Sequence, residues 1–143
     1  KSKRNGLLKV RDNTMFIGRC MRIKEKPLVI LDSAHNEAGI QELNQLLNSS
    51  TFNNLHFVFG TVSDKDLSKV LPLLPLQAKY YFCKADIARG MDPKKLHTEA
   101  SLYGLKGSVF STVKAAYVQA LSQAEDEDLV LVSGSIFVVA EVL

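Results

Sequence analysis

The stretch "PLVILDSAHNEAGIQELNQLL", residues 27–47, passes from a run of branched apolar residues to a helical pattern with almost nothing between. The run at residues 28–31 stops at Asp32. Ser33, Ala34, His35 and Asn36 follow, and then Ile40, Leu43 and Leu47 recur at helical spacing, with Leu46 widening the stripe. Alternate side chains of a strand point to opposite faces, so a strand apolar at every position has to be covered on both. The helix that follows so closely is the natural cover for one of them. A chain built this way is constrained to a layered α/β arrangement.

The same grammar repeats downstream. "LHFVFG" reads as a strand, and residues 64–74 as a short helix that Pro72 and Pro75 bring to an end. "AKYYFCKA" is an aromatic-rich strand. "DPKKLHTEA" is a helix with Asp92 as N-cap and Pro93 at its first position. "TVKAAYVQALSQA" is a helix with Val113, Ala116, Tyr117, Ala120 and Leu121 on one face. The acidic run at residues 125–128 reads as a solvated turn, "LVLVSG" as another apolar strand, and "SIFVVAEVL" as a closing helix. Upstream, "MFIGRCMRI" reads as a strand interrupted at Gly18, and "KEKP" as a turn. Strands alternating with helices at this spacing predict a single three-layer, Rossmann-like α/β domain with a mostly parallel sheet. The expected boundaries are an entry segment at residues 1–14 and the domain at residues 15–143.

Composition narrows the function classes. At 143 residues, 46% hydrophobic and 23% charged, the chain can bury a core and is not disordered. Its net charge of +3 owes much to Lys1, Lys3, Arg4, Lys9 and Arg11, a basic leader without the interleaved aromatics of a nucleic-acid site. Cys20 and Cys83 stand far apart with no CxxC, which excludes a zinc ribbon and a disulfide framework and suits the reducing cytoplasm. No apolar run approaches the ~20 residues of a membrane span, and no apolar signal-peptide core follows the basic start. The chain begins without Met, as a piece of a longer protein would.

Ligands of open parallel sheets bind beyond the carboxyl ends of the strands. Three polar segments follow strands directly: residues 32–36, 60–66 and 133–135. If their strands are neighbours, they share one rim, where free N–H groups favour an anion. Each residue also has a plain reading. Asp32 or Ser33 can simply cap the helix, His35 can be a surface histidine, and Lys65 can be a solvated charge between Asp64 and Asp66. Ser133, Gly134 and Ser135 can form an ordinary turn, and Arg19 can pair with an acid. There is no Walker A loop, GxGxxG, HExxH or GxSxG nucleophile elbow. On residue chemistry alone this is an α/β domain with a polar rim suited to an anionic small molecule.

Taken in order, Gly18-Arg19, "LVILDSAHNE", "GTVSDKD" and "VSGSIFVVAEVL" resemble the motifs of the C-terminal domain of folylpolyglutamate synthase/dihydrofolate synthase, within the Mur ligase superfamily. The likeness runs from about Gly6 to Leu143. Ser33 stands where the family has Gly, Glu37 where Pro is common, and Cys20 where an aromatic is usual. The resemblance implies a lid that closes over ATP in an ATP- and magnesium-dependent ligase. That ligase joins L-glutamate to a folate or dihydropteroate carboxylate through an acyl phosphate. An N-terminal P-loop domain, not contained in this chain, would carry a GxxxxGK[ST] loop and most of the Mg2+ site, so the chain alone is expected to be inactive. Arg19 would reach the ATP phosphates and Asp32 the ribose hydroxyls. His35 would lie between nucleotide and amino acid in a catalytic, orienting role. Lys65 would face the glutamate carboxylates, with Ser133 and Ser135 as further donors, and Phe137 would either wall that pocket or pack in the core. The alternatives are a non-catalytic Rossmann-like binding module and a sister Mur-type ligase that adds another amino acid.

Overall fold

The structure is a computed structural model that describes residues 20–63 and 66–143. Arg19, Gly18, Asp64, Lys65 and the expected entry segment lie outside the described residues. The strands and α-helices among the described residues are β1 (Met21–Glu25), β2 (Leu28–Leu31), α1 (Glu37–Asn48), β3 (Leu55–Phe59), β4 (Lys79–Phe82), α2 (Pro93–Ser101), β5 (Gly107–Val109), α3 (Val113–Gln123), β6 (Leu129–Ser133) and α4 (Ile136–Ala140). The six strands make one sheet in the order β1-β2-β6-β3-β4-β5. Every pairing is parallel except that of the edge strand β1 with β2.

Strand periodicity divides the core into two layers. Ile30, Phe57, Phe59, Tyr80, Phe82, Leu129 and Leu131 face one side, where Ile40, Leu43 and Leu47 of α1 and Leu96 and Ala100 of α2 cover them. Their neighbours in sequence, Val29, Leu31, Val58, Tyr81, Val130 and Val132, face the other side, beneath Val113, Ala116 and Ala120 of α3 and Val138 and Val139 of α4. The first face is the aromatic one, with Tyr80 stacked on both Phe57 and Phe82 at 5.1 and 5.4 Å between ring centroids. The expected three-layer α/β architecture is therefore observed.

Crossover geometry explains which helix lies where. From β2 to β5 the chain steps in one direction along the sheet, with α1 and α2 on one face. From β5 it returns to insert β6 between β2 and β3, and α3 covers the opposite face. Right-handed crossovers require this: reversing the direction of travel reverses the face. As a result β6 leaves the sheet toward α4 on one face, while its neighbour β2 leaves toward α1 on the other. A crevice opens where neighbouring strands part in this way.

Several local expectations are corrected. The helix expected over residues 64–74 is two short 3-10 turns, Leu67–Lys69 and Leu71–Leu73. Pro72 lacks an N–H and disfavours α geometry in the residue before it, so no α-helix can propagate there. The short edge strand β5 carried no sequence signal. It pairs closely enough with β4 that a Cβ on Gly107 would lie 2.0 Å from the Tyr80 carbonyl oxygen. The acidic run is not uniformly solvated: Asp128 is 3% exposed and its Oδ2 lies 3.0 Å from His56 Nε2.

Candidate functional site

The carboxyl ends of β2, β6 and β3 lie side by side, with Leu31 opposite Val132 and Phe59 opposite Ser133. The described parts of the three polar segments, residues 32–36, 60–63 and 133–135, therefore meet on one rim. Asp32 is 6% exposed, and its Oδ1 accepts a 2.9 Å hydrogen bond from the Ala34 N–H, which folds residues 32–34 into a tight turn. The helix cap is neither Asp32 nor Ser33. Asn36 holds that place, its Oδ1 accepting from the Gly39 N–H at 2.8 Å. Asp32 and His35 are thereby relieved of capping.

The Ala34 carbonyl is the junction of the rim. It accepts from the Gly134 N–H and from the Ser133 hydroxyl, both at 3.2 Å. Gly134 adopts φ +115, and a Cβ there would lie 2.0 Å from the Gly60 carbonyl oxygen, so only glycine lets the β6 and β3 exits pack this closely. Ser133 lies beneath the rim. It is fully buried and its hydroxyl proton already serves Ala34, so it fixes the rim from within.

Beyond this junction lies a pocket of about 200 Å³, lined by Ser33, His35, Val62, Arg89, Ser135 and Phe137, with Gly134 and Ile136 completing the wall. His35 is exposed, and its Nδ1 lies 3.2 Å from the Ser33 carbonyl. A carbonyl only accepts, so Nδ1 carries the proton, and in the neutral ring Nε2 remains an acceptor. Ser135 is 6% exposed and its Oγ accepts from the Val138 N–H at 3.1 Å, which leaves the hydroxyl proton as a donor. Phe137, 37% exposed, lies on the pocket and not in the core, with the Arg89 guanidinium 5.7 Å from its ring centroid. Of the expected site residues, His35, Ser135 and Phe137 share this pocket. Asp32 and Ser133 brace it from the rim, and Arg19 and Lys65 lie outside the described residues.

Arg89 and Val62 were not singled out from sequence. Arg89 sits on the β4–α2 loop, a fourth segment beyond a strand's carboxyl end, and the same positional rule applied to "KADIARGMD" would have found it. None of the described lining residues is acidic. The donors and the guanidinium suit the anionic end of a small molecule. Among the described residues no group of three or more His, Cys, Asp or Glu could hold a metal ion, and no helix is long and apolar enough to cross a membrane.

Residues 18–136 match the family model described as Mur ligase, glutamate ligase domain. The chain belongs to that family. This Mur ligase domain is 37% identical over 130 residues to the probable bifunctional folylpolyglutamate synthase/dihydropteroate synthase of Haloferax volcanii, covering 90% of this chain and 16% of the relative. Its fold is similar to Escherichia coli FolC in complex with DHPP and ADP, with TM-score 0.79 and 30% identity over 88% of this chain and 30% of that one. It is similar as well to a bifunctional folylpolyglutamate synthase/dihydrofolate synthase with Mn, AMPPNP and L-glutamate bound, with TM-score 0.78 and 32% identity over 87% and 30% of the two chains. The Mur ligase domain thus spans less than a third of the length of each of these relatives.

Proposed function

We propose that this chain is the carboxy-terminal lid of a longer ATP-dependent ligase that joins L-glutamate to a folate or dihydropteroate carboxylate. The observation that carries the reading is the convergence of the β2, β6 and β3 exits on an anion-suited pocket at the crevice of the sheet. The solved relative with AMPPNP and L-glutamate bound supports both ligand classes. When bound, ATP supplies the phosphoryl group that turns the substrate carboxylate into an acyl phosphate open to attack by an amine. Magnesium is assigned to the domain that carries the P-loop. The reading places the enzyme in the cytoplasm, where a thiol such as that of Cys83 remains reduced.

In this scheme Arg19 contacts the ATP phosphates, for which a planar guanidinium suits bidentate binding. Asp32, oriented by the Ala34 N–H, accepts from the ribose hydroxyls. His35 stands between nucleotide and amino acid and orients the incoming amine with an unprotonated Nε2. Lys65 and Ser135 meet the amino acid's carboxylates, Phe137 walls their pocket, and Ser133 sets the position of Ser135. Closure of the lid brings these groups over the reactants and excludes the water that would hydrolyse the acyl phosphate.

Steady-state kinetics on the complete ligase, with each substrate varied in turn, tests the assignment. Asp32→Ala should raise the KM for ATP roughly tenfold or more, the weight of a charged hydrogen bond. Lys65→Ala should raise the KM for glutamate and leave ATP nearly unchanged. His35→Ala should disturb both and lower kcat, because orienting the attacking amine is a transition-state property. Wild-type behaviour in all three would leave a non-catalytic binding module as the better description.

A further inference from the structure

Ser33, Ser133 and Ser135 gather where β2 and β6 end, and their hydroxyls are differently engaged. The Ser133 hydroxyl donates to the Ala34 carbonyl at 3.2 Å, and Ser135 Oγ accepts from the Val138 N–H at 3.1 Å. Ser33 is half-buried and lines the pocket, and its hydroxyl forms no hydrogen bond with any other side chain or backbone group among the described residues. Its backbone, by contrast, is tied down on both sides. The Ala34 N–H donates to Asp32 Oδ1 at 2.9 Å, across Ser33, and the Ser33 carbonyl accepts from His35 Nδ1 at 3.2 Å. The Ala34 carbonyl accepts in turn from the Gly134 N–H and the Ser133 hydroxyl. Cys20 is the only described non-glycine residue with a positive φ, so Ser33 holds this turn without backbone strain. A donor fixed by its backbone, with its hydroxyl open to the pocket, loses little freedom when a ligand binds it.

The place of Ser33 in the turn says which ligand group it meets. The proposed function, on which this inference rests, puts the ribose at Asp32 and the reacting amine at His35. The phosphate chain of ATP spans the distance between them, with the ribose at one end and the phosphoryl group that activates the carboxylate at the other. Ser33 lies between Asp32 and His35 on the same turn. A hydroxyl is neutral, so it approaches a phosphate oxygen without the repulsion a carboxylate would meet, and it donates its proton to that oxygen. We infer that Ser33 is a further nucleotide-binding residue, whose hydroxyl donates to a phosphate oxygen of the bound ATP. Ser33 stands where the related motif carries Gly, so the contact is one that this chain adds.

The test is steady-state kinetics on the complete ligase and its Ser33→Ala and Ser33→Thr variants, with ATP, 2′-deoxy-ATP, 3′-deoxy-ATP and L-glutamate varied separately. Ser33→Ala keeps the turn and removes only the hydroxyl. It should raise the KM for ATP roughly tenfold, the weight of one hydrogen bond to a charged group, and leave the KM for glutamate within about threefold. The same loss should appear with both deoxy analogues, because they keep every phosphate oxygen. Ser33→Thr keeps a hydroxyl at the same place and should recover most of the affinity for ATP. A loss that vanishes with either deoxy analogue would move the contact to the ribose and overturn the assignment. So would a loss confined to glutamate, a Thr variant no better than the Ala variant, or an Ala variant indistinguishable from wild type. Failure of the wild-type ligase to release ADP in response to glutamate would instead overturn the ligase reading on which the inference rests.

Discussion

Asp128 is the last of four consecutive acids and, by composition, the least remarkable of charges. In the fold its Oδ1 accepts from the backbone and side chain of Asn54 at 3.1 and 3.3 Å, and its Oδ2 from the Glu125 N–H and His56 Nε2, both at 3.0 Å. The carboxylate only accepts, so His56 Nε2 bears the proton, and His56 Nδ1 lies 2.8 Å from the Tyr81 hydroxyl. Burial alone would raise the carboxyl of Asp128, but the hydrogen bonds from Glu125, His56 and Asn54 outweigh it and hold its pKa below the ordinary value. Burial, and then the charge of Asp128, push the Tyr81 hydroxyl up to about 12, so that it stays a donor. A carboxyl depressed on folding adds stability that is complete above its unfolded value near ~4 and is lost as pH falls through the folded value. Asp128→Asn should therefore cost about 1.5–3 kcal/mol at pH 7 and make the loss of stability below about pH 4 shallower. Urea denaturation of both proteins between about pH 3 and 7 checks this, and an unchanged pH slope would refute the role given to Asp128. Nothing in "EDED" separates the fourth acid from the first three. Its partner at position 56 is 72 residues away in sequence.

At the scale of elements, most strands and the longer helices were legible, whereas β5, the 3-10 turns within residues 67–73 and the joints between elements were not. Asp92 and Pro93 mark the start of α2, and Asp92 Oδ1 accepts from the Lys94 N–H at 3.0 Å as a cap should. Asn36 was hidden because several polar residues within residues 32–36 compete for one capping position, and only the backbone turn at Asp32 decides among them. The β6–α4 joint is the most demanding in the molecule, because Gly134 combines a left-handed φ with close approach to the Gly60 carbonyl. Gly134→Ala should lower stability by about 2–5 kcal/mol, combining backbone strain with overpacking. In the proposed full-length ligase it should also lower activity beyond the loss of folded protein, because the Ala34–Gly134 hydrogen bond holds both sides of the pocket rim. Thermal unfolding together with activity per folded molecule separates the two effects, and a variant as stable and active as wild type would show that the joint can relax.

For the whole molecule, the two apolar layers predict that this 143-residue chain folds cooperatively by itself. Turnover is another matter, because the sequence contains no phosphate-cradling loop and the described residues no metal-binding cluster. A single unfolding transition, with glutamate- and folate-dependent ATP hydrolysis at background, is the expected result. Sustained hydrolysis by the chain alone would contradict the proposed division of labour. The sequence by itself determined the layers, because periodicity and local caps act over a few residues and leave their mark in order along the chain. It also determined which segments follow strands, and so where polar chemistry can gather. Only the tertiary structure decided that β6 lies between β2 and β3, since pairing over some 70–100 residues depends on crossover handedness and on which face remains uncovered. That insertion brings His35, Ser135, Phe137 and Arg89 to one pocket, turns Ser133 inward, and buries Asp128 against His56. Each of these outcomes depends on contacts between residues whose own neighbours in sequence carry no trace of them.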